Sequence, residues 1–295
     1  MINTIDEYLT QLKLELAGSD RATIQDALSD AEEYLRNALA HSRESQPDVP
    51  ENDALTPIIQ EYGTPDEVAA AYKRVEGHMS PALSIQDKPQ KRSLAASFFG
   101  VMANPRAWGA ILYAIFALAT GIIYFTWAVT GISLSLSLLI LVVGIPFAGL
   151  FMLSVRGLAL VEGRIVEALL GVRMPRRPIF TNNNLSLWGR FKSLITDRYT
   201  WFTLAYMILQ LPLGIFYFTL FVVLISVSLW LIAQPILQLV FGLPAFNIDV
   251  SYYIPGWIMP ISVLGGILLF VLSMHLAKLI GRMHGVIAKA MLVRD

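Results

Sequence analysis

The residues that could do chemistry in this chain are few and scattered. It contains four histidines, His41, His78, His275 and His284, and no cysteine. Without cysteine, disulfides, thiolate metal sites and cysteine nucleophiles are excluded. No phosphate-binding glycine loop, His-Glu-x-x-His element or Gly-x-Ser-x-Gly elbow occurs. We therefore expect no enzyme, no metal site and no cofactor.

Uncharged stretches dominate the second part of the chain. Residues 107–155, 199–248 and 250–277 contain no Asp, Glu, Lys or Arg. About 20 apolar residues in a helix cross the roughly 30 Å of hydrocarbon in a bilayer. The first two runs are each long enough for two crossings, or for one crossing and an interfacial segment, and the third for one. The sequence therefore predicts an all-α, polytopic membrane protein.

Four main crossings are the simplest interpretation of these runs. We predict them near residues 109–127, 134–153, 202–227 and 257–278. Pro146 would then lie inside the second crossing and kink it. His275 and His284, nine residues apart, would lie at the cytoplasmic headgroup boundary rather than form a metal pair.

The basic residues predict the orientation of the crossings. Lys and Arg precede the first crossing, fill the link between the second and third, and follow the fourth. The two other loops, near residues 128–133 and 228–256, contain neither residue type. Because basic residues accumulate on the cytoplasmic side, we expect both termini and the central link to be cytoplasmic. The N-terminus lacks a basic start and an apolar core, so no signal peptide is expected.

Polar and aromatic residues within the crossings are the candidates for ligand binding. We single out Tyr124, Gln210 and Tyr217, although Gln210 could simply join two helices and the tyrosines could be interface anchors. No ionisable residue is expected at mid-membrane, which argues against an ion-coupled transporter. The outer segment 229–255, with Gln234 and Gln238, is a candidate lid.

The first 90 residues differ sharply from the rest in charge. They carry 17 acidic and 7 basic residues, whereas the remainder carries 5 acidic and 15 basic residues. We predict a cytoplasmic domain of four helices at residues 1–76, the fourth beginning with a capping box at Thr64 and Glu67, followed by a linker at 77–106. Its core is thin at this length, so it is expected to lean on the membrane part, on a second copy or on a partner. Asp26, Asp30 and Glu33 are candidate surface acids for docking a basic partner, or merely a solvated face.

An internal repeat relates the two pairs of crossings. Trp108, Tyr113 and Gly121 recur 93 residues later as Trp201, Tyr206 and Gly214, which favours a parallel duplication. Each half ends in an amphipathic segment, near residues 156–178 and 278–295, lying in the headgroup plane or extending the crossing. The candidate ligands of anionic lipid headgroups are Arg164, Arg173, Arg176, Arg177 and Arg282.

Two family resemblances cover nearly the whole chain. The N-terminal part resembles a HAAS domain, a small helical signalling module of bacterial membrane proteins. That likeness is carried by Ala31-Glu32-Glu33-Tyr34 and by Tyr62-Gly63-Thr64-Pro65-Asp66-Glu67. The membrane domain, at 107–295, resembles a family of four-crossing bacterial sensors. That likeness is carried by Gly144-Ile145-Pro146, Arg156-Gly157-Leu158-Ala159, Glu162, Gly171, Trp201 and Leu211-Pro212-Leu213-Gly214.

The resemblances imply a sensor of the bacterial inner membrane, paired with a PadR-like transcription regulator or carrying a histidine kinase. Only 16 residues follow Leu279, so we expect no attached kinase and an output through the N-terminal domain or a separate protein. The expected partners are membrane lipids and a cytoplasmic regulator, with no direct nucleic-acid contact; homo-oligomerisation stays open. The alternative hypotheses are a small transporter or permease subunit and a non-catalytic membrane scaffold.

Overall fold

The computed structural model describes residues 2–45, 49–78, 94–138, 140, 144–177, 187–247 and 250–294. Its N-terminal helices are α1 (Ile5–Glu15), α2 (Arg21–Ser45), α3 (Glu51–Tyr62) and α4 (Pro65–His78). Then follow α5 (Leu94–Phe99), α6 (Pro105–Leu138), α7 (Gly144–Leu170), α8 (Leu187–Thr196), α9 (Arg198–Phe241) and α10 (Met259–Leu292). A short hairpin between α9 and α10 pairs β1 (Phe246–Asn247) with β2 (Ser251–Tyr252). The all-α fold is confirmed, while half of the predicted linker, residues 79–93, lies outside the described residues.

Helices α1 to α4 enclose a common hydrophobic core. Tyr8, Leu12, Leu35 and Leu55 are fully buried in it. The Tyr8 hydroxyl donates a 2.8 Å hydrogen bond to the carbonyl of Gly63, which ends α3 with a φ of 111° that favours glycine. Apolar residues at helical spacing therefore bring the four short helices together, as the sequence predicts.

Two capping boxes begin helices in this part of the chain. In the predicted one, the backbone N–H of Thr64 donates to the Glu67 carboxylate at 2.9 Å. A second, not predicted, begins α1. There the N–H of Glu7 donates to the Thr4 hydroxyl, and the Glu7 carboxylate accepts from the N–H of Asn3. Each contact is one half of the reciprocal motif: the bond at α4 satisfies the N–H of the capping residue, and the Glu7–Thr4 bond at α1 satisfies an N–H of the first turn.

The four longest apolar helices, α6, α7, α9 and α10, meet the length and hydropathy requirements of membrane spans. Four crossings are therefore confirmed, but several predicted boundaries are wrong. The loop predicted at residues 128–133 is helical and belongs to α6. Gly131 does not make a turn: a β-carbon there would overlap the ring of Phe151 on α7. Here glycine makes room for a neighbour rather than breaking the helix.

Two further expectations about the crossings are corrected. Pro146 lies in the first turn of α7, which begins at Gly144. Proline is tolerated there, because the missing N–H would have no partner within the helix, so the predicted interior kink is absent. The outer loop predicted at residues 228–256 is also shorter, because α9 remains helical to Phe241.

The chain divides into two compact units. Unit 1 contains residues 1–84, 127–206 and 287–295, and unit 2 contains residues 85–126 and 207–286. Helices α6, α9 and α10 therefore contribute to both units, whereas α1–α4 and α7 belong to unit 1 alone.

Within unit 2, α6 and α9 cross at glycines from equivalent repeat positions. A β-carbon on Gly121 would lie 2.8 Å from the carbonyl oxygen of Gln210, and one on Gly214 would collide with the carbonyl of Ala117. Ala117 and Gln210 are themselves 93 residues apart, so the two contacts are reciprocal. Small residues let the helix backbones approach closely, as at many crossings in membranes.

The predicted amphipathic segments continue the spanning helices over most of their length. Helix α7 runs unbroken to Leu170 and α10 to Leu292. Gly171 ends α7 with a φ of 68°, and its N–H donates to the carbonyl of Glu167. The residues that follow, 171–177, are named here the basic link.

Candidate functional site

One face of α2 contacts the segments that follow two spanning helices. We call it the docking face, formed by Asp20, Arg21, Gln25, Asp26 and Asp30. Arg21 and Gln25 are four residues apart, as are Asp26 and Asp30, so the two pairs form neighbouring rows on one side of the helix. All contacts described for this face lie within unit 1.

Asp26 is the centre of the docking face. Its Oδ1 accepts hydrogen bonds from the backbone N–H groups of Arg176 at 2.7 Å and Arg177 at 2.9 Å. The side chain is only 6% exposed, so the prediction that Asp26 is a surface residue is wrong. Desolvation raises the pKa of Asp26, while the two backbone hydrogen bonds act in the opposite direction. The carboxylate thus joins α2 to the basic link, 150 residues away in the sequence.

Asp30 and Glu33 also face the basic link. The Arg177 guanidinium lies 2.7 Å from Asp30 and 3.9 Å from Glu33. Asp30 additionally accepts a 2.9 Å hydrogen bond from the Tyr72 hydroxyl, and this bond contributes to the raised pKa of Tyr72 after desolvation, its main cause. The three acids predicted to dock a partner therefore have a basic counterpart in their own chain.

Three of the five arginines predicted to contact lipid headgroups, Arg164, Arg176 and Arg177, pair with acidic residues of the same chain. Glu167 bridges Arg164 at 3.0 Å and Arg176 at 3.1 Å. Arg173 is half-buried in the basic link, whereas Arg282 is exposed on α10. Headgroup binding by these five arginines stays a prediction.

The C-terminal end of α10 forms the other edge of the docking face. Lys289 pairs with Asp20, and the N–H of Arg294 donates to the Gln25 side chain at 2.8 Å. The Arg21 side chain reaches the carbonyl of Val293 at 3.4 Å. Helix α2 therefore contacts the segments after both α7 and α10, the last helices of the two repeat halves.

Unit 1 contains a second, partly buried polar cluster, between α7 and the start of α9. The Arg156 guanidinium lies 2.6 Å from Asp197 and 3.0 Å from the Thr200 hydroxyl. Further along α7, Glu162 is 1% exposed and accepts a 3.0 Å hydrogen bond from Tyr206. Glu162 lies in the segment predicted to be amphipathic, at 156–178, but its side chain is inside the protein.

Unit 2 contains a buried polar network of Tyr113, Gln210, Tyr217 and His284. The Gln210 amide donates to the Tyr113 hydroxyl at 2.9 Å, and this hydroxyl lies 2.6 Å from His284 Nε2. The Tyr217 hydroxyl lies 3.3 Å from His284 Nδ1. Two of the predicted ligand residues, Gln210 and Tyr217, thus belong to one network that joins α6, α9 and α10.

The network corrects the interpretation of His284. This residue is fully buried inside the protein rather than exposed on its surface. At 1.5 Å per residue it lies about 37 Å along α10 from Met259, so its depth is near one end of the span even though protein surrounds it. If Tyr113 donates to Nε2, then Nδ1 carries the proton and donates to Tyr217, which makes the ring a neutral bridge.

The other predicted site residues lie elsewhere. Tyr124 is buried on α6 in unit 2, at 3% exposure. In the outer segment, the Gln238 side chain exchanges two hydrogen bonds with the backbone of Ile254, and Gln234 donates to the carbonyl of Leu243. These glutamines anchor the chain that follows α9; whether that segment acts as a lid stays a prediction.

Sequence reasoning missed His284 and Glu162 as buried polar residues and Arg156 as a partly buried one. The internal repeat contained a signal for His284 and Glu162. Tyr113 and Tyr206 occupy equivalent positions in the repeat, and each bonds one of these two residues, on the second spanning helix of the other half. Over the described ranges, no group of three His, Asp or Glu side chains could hold a metal ion.

Comparison with known families assigns both parts of the chain. Residues 113–292 match the family described as "Putative sensor", and residues 7–71 match the HAAS family. Both resemblances noted in the sequence are thereby confirmed, in the predicted order. No curated protein and no solved structure matches the chain. The docking face therefore lies in the HAAS part, and the segments that contact it belong to the sensor part or immediately follow it.

Proposed function

This chain belongs to that sensor family, and on this premise we propose that it relays a membrane or envelope signal to a cytoplasmic regulator through α1–α4. It is a multi-pass membrane protein with a signalling role. The step from sensor to regulator, the PadR-like class of that regulator, and the inner-membrane location with cytoplasmic termini are the proposed parts.

One observation carries the proposed relay: Asp26 of α2 accepts hydrogen bonds from two backbone N–H groups of the basic link, those of Arg176 and Arg177. That link begins directly where α7 ends, so a shift or rotation of α7 displaces the two donors. Hydrogen bonds to a charged acceptor contribute about 1.5–3 kcal/mol each. Displacing them is therefore enough to change the population of the docked arrangement of α2.

The charge distribution supports the proposed orientation. The basic link contains three arginines, and the second half of α10 carries Lys278, Arg282 and Lys289. Lys88, Lys91 and Arg92 precede α5 in the sequence. The described loops at the opposite ends of the spans contain no Lys or Arg. The positive-inside tendency supports a cytoplasmic position for the docking face, where a soluble transcription regulator would meet it.

Partner capture from native membranes tests the proposal. The full chain, a variant lacking residues 2–76, and Asp26→Ala would be purified with a membrane-side affinity tag after mild crosslinking. We expect a co-purifying regulator to be lost completely with the deletion, while the deletion variant remains in the membrane fraction. Asp26→Ala should change the amount captured, whereas Asp53→Ala, which removes an exposed carboxylate from α3, should not. Capture that survives the deletion would refute the relay.

No described feature favours the transporter or the scaffold over this proposal. Vesicle flux measurements address the transporter directly, because a sensor predicts no flux above that of empty vesicles.

A further inference from the structure

The basic link holds a carboxylate in the manner of an anion site. Two consecutive backbone N–H groups, those of Arg176 and Arg177, converge on a single oxygen of Asp26. Paired N–H donors of this kind also bind phosphate oxygens in many proteins. Arginine is the side chain best suited to a phosphate beside such donors, and the link supplies it at positions 173, 176 and 177.

The basic link is also near the expected depth of lipid headgroups. It begins at Gly171, directly after the last residue of a spanning helix, and helix ends of this kind meet the polar surface of a bilayer. Anionic lipids give the cytoplasmic leaflet a negative potential that attracts basic segments next to a span. Nevertheless, Arg176 and Arg177 contact carboxylates of their own chain, Glu167 and Asp30.

We propose that the basic link binds either the docking face or the phosphate of an anionic phospholipid, and that lipid binding releases α2. Asp26 and Asp30 occupy the positions that phosphodiester oxygens take in the released state. A phosphodiester resembles the Asp26 carboxylate in carrying one negative charge on two equivalent oxygens. This inference rests on the proposed function, because it identifies the signal as the anionic lipid content around the link.

The competition has a structural consequence for the regulator. In the docked state, Asp30 and Glu33 face Arg177. When lipid phosphates bind the link, these carboxylates become available to a basic surface on another protein. The same acids would then serve an internal partner in one state and an external partner in the other.

Distance measurements in nanodiscs test the inference. The chain has no native cysteine, so spin labels can be placed on Asn37→Cys in α2 and Lys192→Cys in α8, both exposed and both in unit 1. In phosphatidylcholine we expect one dominant distance. In an equimolar mixture with phosphatidylglycerol we expect a second, longer distance, whose share grows with the anionic fraction.

Variants distinguish competition for the basic link from general destabilisation of the docked arrangement of α2. Asp26→Ala should raise the ratio of released to docked α2 at least about tenfold in pure phosphatidylcholine, because both backbone donors lose their acceptor. Asp53→Ala is the matched control and should behave as the parent chain does. If Asp26→Ala fails to fold, Asp30→Ala tests the same competition, since it removes only the pair with Arg177. Arg177→Gln should weaken the response to phosphatidylglycerol.

Several outcomes would overturn the inference. Identical distances in both lipids, for the parent chain and Asp26→Ala alike, would do so. So would release by inorganic phosphate in phosphatidylcholine discs without release by phosphatidylglycerol, because the site would then bind a soluble anion. The nanodiscs contain no regulator, so this experiment tests the lipid-dependent release of α2 independently of the proposed relay to a regulator. Partner capture that depends on residues 2–76 without lipid-dependent release removes only this inference.

Discussion

Replacing Gly214 by alanine tests whether α6 and α9 cross in direct backbone contact. The new β-carbon would lie 2.7 Å from the carbonyl carbon of Ala117 and 3.0 Å from the Cα of Leu118. Carbon atoms pack best at about 3.5–4.0 Å, so the helices would have to separate by roughly 1 Å at the crossing. Both obstacles are backbone atoms, which cannot rotate away.

The magnitude follows from two opposing terms. Overpacking in a well-packed interior costs about 1–3 kcal/mol. Alanine regains about 0.5–1 kcal/mol relative to glycine inside a helix. We therefore expect Gly214→Ala to lower the free energy of unfolding by roughly 1–2 kcal/mol. Gly121→Ala should have a similar cost, and the double variant should cost less than the sum, because one separation of the helices relieves both clashes.

Two adjacent glycines on α10 provide the controls. A β-carbon on Gly265 would meet nothing within 4 Å, whereas one on Gly266 would lie 2.8 Å from the carbonyl oxygen of Ser228. Gly265→Ala should therefore be neutral or stabilising, and Gly266→Ala destabilising. Thermal unfolding of the purified protein in one detergent, followed by intrinsic fluorescence, compares the four single variants and the double variant. If Gly214→Ala melts at or above the temperature of Gly265→Ala, the close crossing is wrong.

Three more outcomes are expected. Burial raises the folded-state pKa of Asp26 above its ordinary 3.8, so protonation of this carboxyl stabilises the folded state. The stabilisation is complete at pH values below 3.8 and is lost as the pH rises through the folded-state pKa. The stability of the parent chain relative to Asp26→Asn, measured by denaturant titration at stepped pH, should therefore increase as pH falls, and a constant difference would contradict the shift. Arg156→Leu removes the partner of the partly buried Asp197 carboxylate and should lower the free energy of unfolding by about 1–3 kcal/mol. Adding Asp197→Leu should recover much of this loss in thermal melts. Tyr113→Phe removes the hydroxyl shared by Gln210 and His284 and should lower the free energy of unfolding by about 1–3 kcal/mol in the same melts. The Tyr217 hydroxyl contacts His284 alone among the described side chains. An equal loss of stability for Tyr217→Phe would therefore argue against the central role of Tyr113.

Most of the architecture could be predicted because its causes are local. Uncharged runs long enough to span a bilayer identified the membrane helices, and Thr64 with Glu67 identified the start of α4. The boundaries were less accessible, because Gly131 and Pro146 are usually helix breakers. Here one makes room for Phe151 and the other lies in a first turn, and neither context can be recognised without the neighbouring helix.

The sites depended on long-range contacts, which the sequence does not reveal. Asp26 has the appearance of a solvated surface acid until the basic link, 150 residues away, is placed against it. His284 follows a basic amphipathic pattern that favours an interfacial position, and only the tyrosines of α6 and α9 show that it is enclosed. Gln210 is the exception. An amide in an apolar helix needs a hydrogen-bond partner, and this requirement by itself indicates that Gln210 could join two helices.

The reciprocal glycines also limit how α6 can move against α9. Sliding either helix along its axis by a residue would bring a side chain to the place where only a hydrogen atom fits, so a piston-like stroke is blocked from both sides. Rotation about the crossing point keeps both glycines in register. The available motion is a change in the crossing angle of α6 and α9, in which a small rotation at the glycine contact becomes a larger displacement at the helix ends.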